Sequence, residues 1–123
     1  MGTCYKGKSK YFRSIGQNIL LASSTYHFAN GYFGIKSGHS IRNIVSKNPL
    51  STSIDFYEKI SLGGIETISN GGKLRITRMA DGTVITMRTT SHSDGTPAVQ
   101  INITKSTHHS EIKQQKIHFV EEK

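Results

Sequence analysis

One cysteine, Cys4, is all that the 123 residues contain, so no intrachain disulfide can form and no cysteine-based metal cluster can be built. The fold must stand on packing, and a reducing environment is compatible with it. Long apolar runs are missing too. The longest, "NILLASS" from Asn18 to Ser24, falls far short of the roughly 20 residues of a membrane-spanning helix. Lys6, Lys8, Lys10 and Arg13 precede it, but no clean cleavage site follows in the layout of a signal peptide. The expectation is a soluble chain, whole or cut from something longer, of a length that suits one compact domain. Negative charge is also scarce. Eight Asp and Glu stand against sixteen Lys and Arg, a formal charge of +8 with a pI near 9.8. That balance favours an anionic partner through long-range attraction and counterion release, and nucleic acid is the commonest such partner.

The chain has no repeat, low-complexity tract or linker. Its front half reads as helical. Phe12, Ile15, Ile19, Ala22, Tyr26 and Ala29 recur at spacings of three and four, and Gly31 is placed to stop the run. "YFGIKSG" reads as a loop, and "SGHSIRNIVSKNP" as a short turn of helix with Ile41, Ile44 and Val45 on one stripe. "STSIDFYEKISLGG" is the clearest helix: Ser51 or Ser53 can cap it, Asp55 suits its positive end, and Gly63 suits the left-handed residue after it. Beyond Gly64 the period drops to two. "KLRITRM", "TVITMRTT", "AVQINIT" and "KIHFV" alternate as strands, with Asp81-Gly82 supplying a hairpin turn and "SDGTP" another. The layout is α+β: residues 1–36 as a helical N-terminal part, 37–63 as helices, and 72–120 as a four-stranded antiparallel sheet covered on one face by those helices.

If Val99, Ile101, Ile103, Ile117 and Phe119 face the helices, then Gln100, Asn102, Thr104, Lys116 and His118 face away. Ile85 and Met87 make the better core of their strand, which turns Thr86, Arg88 and Thr90 outward; Arg75 and Thr77 are expected to follow. Such Thr, Arg, Gln and Lys are ordinary occupants of a solvated sheet face. Their company is less ordinary, because the four expected strands contain no carboxylate. The result is a surface suited to phosphate. Of six histidines, His27, His92, His108 and His109 read as packing or loop residues. No HxH or HExxH spacing supports a metal site, and adjacent imidazoles at His108-His109 diverge in an extended loop. His39 differs, since "SGHS" places it at a helix start, where backbone amides gather. RNA cleavage without metal requires a base for the 2′-OH, an acid for the leaving 5′-oxygen and cations for the phosphoryl charge. Histidine suits both proton roles because its ordinary pKa lies near neutrality. His39 and His118 are the candidate proton-transfer pair, and Arg88 and Lys116 the candidate cations. Thr90 and Thr104 would orient the phosphate, with Ser91, Thr86, Asn102 and Arg75 as further substrate-binding candidates. No cofactor is required.

The stretches "SGHSIRNI", "FYEKISLGGIE", "MADGTVITMRTTSHSDGTPAVQINI" and "IKQQKIHFV", in that order, resemble a bacterial polymorphic-toxin family found at the C-terminal ends of contact-dependent growth inhibition effectors. The similarity covers about two thirds of the chain, from Gly38 to Val120, and leaves residues 1–36 unmatched. It implies the barnase–EndoU–colicin–RelE (BECR) fold, with helices set against a small antiparallel sheet. It also implies an endoribonuclease that cleaves RNA, with tRNA favoured, in the cytoplasm of a competing bacterium. Such a domain is delivered as the tip of a larger effector, meets a membrane only in transit, and is neutralised by a cognate immunity protein, here expected to be acidic. The resemblance leaves room for a host factor. His39, Arg88, Thr104, Lys116 and His118 fall on the matching stretches. Two rival readings are a basic RNA-binding module without catalysis and a metal-dependent DNase; the shortage of clustered carboxylate and histidine ligands disfavours the second.

Overall fold

The computed structural model describes residues 13–91, 95–106 and 112–122; Cys4, Phe12, His92, His108 and His109 lie outside them. The described chain runs helix α1 (Ile15–Ser23), a small hairpin of β1 (Phe28–Ala29) and β2 (Tyr32–Phe33), then β3 (Ile35–Gly38), β4 (Ile41–Ser46), helix α2 (Pro49–Ile60), and β5 (Ile65–Ser69), β6 (Leu74–Arg78), β7 (Val84–Arg88), β8 (Ala98–Asn102) and β9 (Gln115–Glu121). Seven strands form one sheet in the order β3-β4-β9-β8-β7-β6-β5. All neighbours are antiparallel except β4 and β9, which run parallel from Ile41↔Lys116 to Ser46↔Glu121. The α+β class and the mostly antiparallel sheet are as expected. The sheet has seven strands rather than four, and strands stand between the helices instead of following them.

Local chemistry explains the differences. The first helix ends at Ser23, not Gly31, because the Ser23 and Ser24 hydroxyls donate back to the Leu20 and Leu21 carbonyls and compete with the helix. Asn30 and Gly31 then take positive φ of 55° and 89°, the conformation of a tight two-residue hairpin turn, and reverse the chain between β1 and β2. Residues 41–46 form a strand, not a helix. Their β-branched stripe is equally compatible with both periods, and the row that buries Ile44 beside Phe119 decides for the strand. In α2, Asn48 caps the helix by accepting from the Ser51 amide at 3.3 Å, with Pro49 in the first turn, so neither expected serine is the cap. Gly63 takes φ 81° after the helix, as expected.

The core lies between the helices and one sheet face. Ile15, Ile19, Phe56 and Ile60 pack on Ile85, Met87, Val99, Ile101, Ile117 and Phe119. Buried polar side chains are paired. Asn18 donates to the Ile60 and Leu62 carbonyls, satisfying orphan acceptors at the end of α2, while its own oxygen accepts from Arg13. Gln115 ties the β1–β2 hairpin to β9: its amide donates to the Gly31 and Lys113 carbonyls and its oxygen accepts from the Phe33 amide.

Register reverses one expectation. Arg75 pairs with Met87 and Thr77 with Ile85, so both face the helices, and Leu74, Ile76 and Arg78 take the open side. The helix side of β6 is polar because α2 presents Tyr57 there. Its hydroxyl is hydrogen-bonded to Thr77 and donates to Glu66 at 2.8 Å; Arg75 donates to the same Glu66 oxygen and lies 5.0 Å over the Tyr57 ring. Burial, above all, pushes the Tyr57 hydroxyl up to about 12. The strands are not free of carboxylates either. Glu66 and Glu121 lie in β5 and β9, but their partners Thr77 and Ser46 set both on the helix side.

Asp55 in α2 accepts from Lys59 through both oxygens, at 2.6 and 2.7 Å, and from the Tyr26 hydroxyl. Lys59 first, then Tyr26, holds this carboxyl below its ordinary value of 3.8. A depressed pKa means that the contribution is present at neutral pH and is lost as pH falls through the folded-state value. Half-exposure of the pair keeps it below about 1 kcal/mol. Asp55→Asn is therefore expected to lose less thermal stability than the parent on acidification from roughly pH 5 to 2, measured by melting at each pH. Parallel acid limbs would show that the pair contributes nothing.

Candidate nucleic-acid interface

On the side away from the helices, the register sets side chains in rows. One row runs Asn43, His118, Ala98, Arg88, Leu74, Ser69; the next runs Ile41, Lys116, Gln100, Thr86, Ile76, Thr67. A third runs Asn102, Val84, Arg78, Ile65. Each row crosses strands about 4.8 Å apart, so His118 and Arg88 flank Ala98 with backbones roughly 10 Å apart, and Lys116 lies about 7 Å from His118 along β9. Ala98, between the two cationic positions, is itself buried, 3% exposed. The three rows hold Arg78, Arg88, Lys116 and His118 together with amides and hydroxyls, and no Asp or Glu. The two ion pairs among the described residues, Lys59–Asp55 and Arg75–Glu66, both lie elsewhere.

His118 is nearly buried, 5% exposed, and its Nδ1 lies 3.0 Å from the Thr96 hydroxyl, so the β7–β8 connection closes over this end of the face. Ser91 belongs to the same cover: it is buried, and its amide donates to the Thr96 carbonyl at 2.8 Å. Thr90 is exposed just beyond β7. Thr86 sits on the middle row beside Gln100, as expected.

Three sequence-expected positions differ. Arg75 is turned to the helix side and engaged by Glu66, so it does not join the face. His39 is exposed in the tight turn between β3 and β4, not at a helix start, because 35–46 form a hairpin. The Ser40 carbonyl accepts from the Lys116 amide at 2.8 Å, which places that turn at the rim of the open face, more than one row or about 7 Å from His118. Thr104, with Asn102, lies at the opposite end. The Thr104 amide donates to Asn102 and its hydroxyl to Gln114, and the two line a hollow of about 640 Å³ with Arg78, Val84 and Lys105. Sequence reasoning missed Arg78, Lys105 and Asn43. The signal for Arg78 was available, since the Asp81-Gly82 turn fixes the β6–β7 register.

No family model, curated protein or solved structure matches this chain.

Proposed function

We propose that this chain is a metal-independent endoribonuclease of the bacterial polymorphic-toxin type, with RNA held on the open face of the sheet. The observation that carries the reading is a three-row surface with four basic side chains and no carboxylate, with an imidazole at one end. In this reading His118 takes the 2′-OH proton as the 2′-oxygen bonds to phosphorus. Arg88, across Ala98, neutralises the phosphoryl charge. As the bond to the 5′-oxygen breaks, Lys116 on the same strand gives that oxygen a proton, and water restores both groups. The products are a 2′,3′-cyclic phosphate and a 5′-hydroxyl. Thr86 and Thr90 orient the phosphate, and His39 at the rim is a contact rather than the partner base. DNA lacks the 2′-OH and is not cut.

The helices on one sheet face and the exposed opposite face agree with a BECR-like arrangement. tRNA is the favoured substrate, reached in the cytoplasm of a competing bacterium after delivery at the tip of a larger effector. An acidic immunity protein is suited to cover the same cations in the producing cell.

The near-burial of His118 favours a second reading, a module that grips RNA without cutting it. Incubation with total tRNA in EDTA separates the two. Cleavage gives shorter chains ending in cyclic phosphate, whereas binding alone shifts migration and leaves chain length intact. Cleavage of 2′-deoxy oligonucleotides, or activity that appears only with added divalent metal, would defeat the proposed mechanism.

A further inference from the structure

The hollow at the far end of the open face is built apart from the His118 row. Arg78 and Lys105 are exposed at it beside the Asn102 amide and the apolar Ile65, Met79 and Val84, while the Thr104 hydroxyl is engaged by Gln114. No ion pair engages Arg78 or Lys105 among the described residues. The nearby carboxylate, Asp81, is buried, with its oxygens accepting from Thr83 and Ser106. That arrangement fixes the chain carrying Lys105. Gly82, at φ 94°, lies so close that a Cβ there would stand 2.2 Å from the Lys105 carbonyl oxygen, so the β6–β7 turn seats the 105 segment directly. The backbone that carries Lys105 is thus seated on the β6–β7 turn, with the exposed side chains of Arg78 and Lys105 at the mouth of the hollow.

We infer that this recess binds a second, non-adjacent phosphate of the same RNA whose scissile phosphate lies between Arg88 and His118. Arg78 pairs with Val84, four residues from Arg88 on β7, so the two positions are about 13 Å apart along the strands. That exceeds the reach of one phosphodiester link. The one row between them places Lys116, Gln100 and Thr86 side by side, flanked by Ile41 and Ile76, so polar side chains lie between the two positions. The rows carry no Phe, Tyr or Trp on which a base could stack, and the one imidazole, His118, is nearly buried, so the track grips backbone rather than bases. The ligand is therefore a polynucleotide backbone spanning several nucleotides, and a dinucleotide cannot fill both positions.

This inference rests on the reading of the open face as an RNA surface, and the test separates the two. Binding of a non-cleavable 2′-O-methyl RNA 12-mer is measured by anisotropy against salt for the parent, Arg78→Ala/Lys105→Ala, Arg88→Ala, and the charge-matched Lys36→Ala/Lys47→Ala, whose residues are exposed and belong to none of the three rows. The Arg78/Lys105 variant should bind roughly tenfold more weakly per cation removed. Its slope of log K against log salt should shrink by about 1.4, the value for two lost phosphate contacts on a single strand. The Lys36/Lys47 variant should stay close to the parent. If Arg88→Ala weakens binding while the Arg78/Lys105 variant retains parental affinity and slope, the recess is no subsite and the RNA face stands. Equal losses in both double variants would reduce the effect to net charge and overturn the subsite. A parent that does not bind the 12-mer at low salt sinks both readings.

Discussion

Replacing His118 by glutamine is expected to lower the rate of RNA cleavage in EDTA by at least a hundredfold while leaving RNA affinity close to the parent's. General acid–base groups contribute on the order of 10²–10⁴ in rate. His118 is the only imidazole within the three rows of the open face. Glutamine is the informative replacement because it can still meet the Thr96 hydroxyl, which lies 3.0 Å from Nδ1. Alanine would also remove that hydrogen bond, at about 1 kcal/mol, and open a void beneath the β7–β8 connection. The split between kinetic constants carries the weight. A proton carrier lost from the face lowers kcat and leaves KM nearly unchanged, whereas Arg88→Ala, which removes a phosphate contact, should raise KM as well. Parental kcat in the glutamine variant, with an unchanged melting temperature, would remove His118 from the mechanism. The module without catalysis would then be the better account of the same face.

How much of this was legible in sequence depends on where the signals were local. Helix α2 carried its own punctuation in Pro49 and Gly63, and the spacing of Ile54, Phe56, Tyr57 and Ile60 marks its inner face, where the last three are buried and Ile54 is partly buried. Strands β6 to β9 announced themselves by period two and by the Asp81-Gly82 turn. The front half did not, because Tyr26 and Ala29 continue a helical spacing by coincidence after three residues, Ser23, Ser24 and Thr25, that end the helix. The Asn30-Gly31 pair was the stronger local signal. Strand β5 is exposed at every residue and offers no buried face from which a period could be read. The parallel joining of β4 to β9 pairs Ile41 with Lys116, and no local feature of either segment specifies it. Arg75 is a different case. Once Ile85 and Met87 are assigned to the core, a hairpin pairing 78 with 84 forces 77 opposite 85 and 75 opposite 87. Turn register outranks the apolar pattern of one strand here, because Tyr57 gives Thr77 and Arg75 polar partners on the buried side.

Phe56→Ala is expected to cost the most stability of any single truncation considered. Phe56 is fully buried, and its ring lies 5.3 Å from Tyr26, 5.0 Å from Phe33 and 5.7 Å from Phe119, measured between centroids. Those three partners come from the segment after α1, from β2 and from β9, so one ring joins α2 to that segment, the small hairpin and the central sheet. A buried Phe truncated to Ala costs about 3–5 kcal/mol, the sum of lost transfer energy and an unfilled cavity. Folding stability at 0.05–0.15 kcal/mol per residue comes to roughly 6–18 kcal/mol for a chain of this length, so the loss is between a sixth and most of the total. Urea titration should show a lower midpoint with an unchanged slope, and the melting temperature should fall by on the order of 10–20 °C. Strand β9 separates the cavity from the open face, since Phe119 and His118 are consecutive residues on its opposite sides. Where the variant remains folded, its RNA affinity should match the parent's, because the backbone rows survive a cavity on the helix side. A loss under about 1 kcal/mol would mean that the aromatic centre collapses to fill the gap, and the hairpin and sheet would then be held together chiefly by the two hydrogen bonds that Gln115 makes to Gly31 and Phe33.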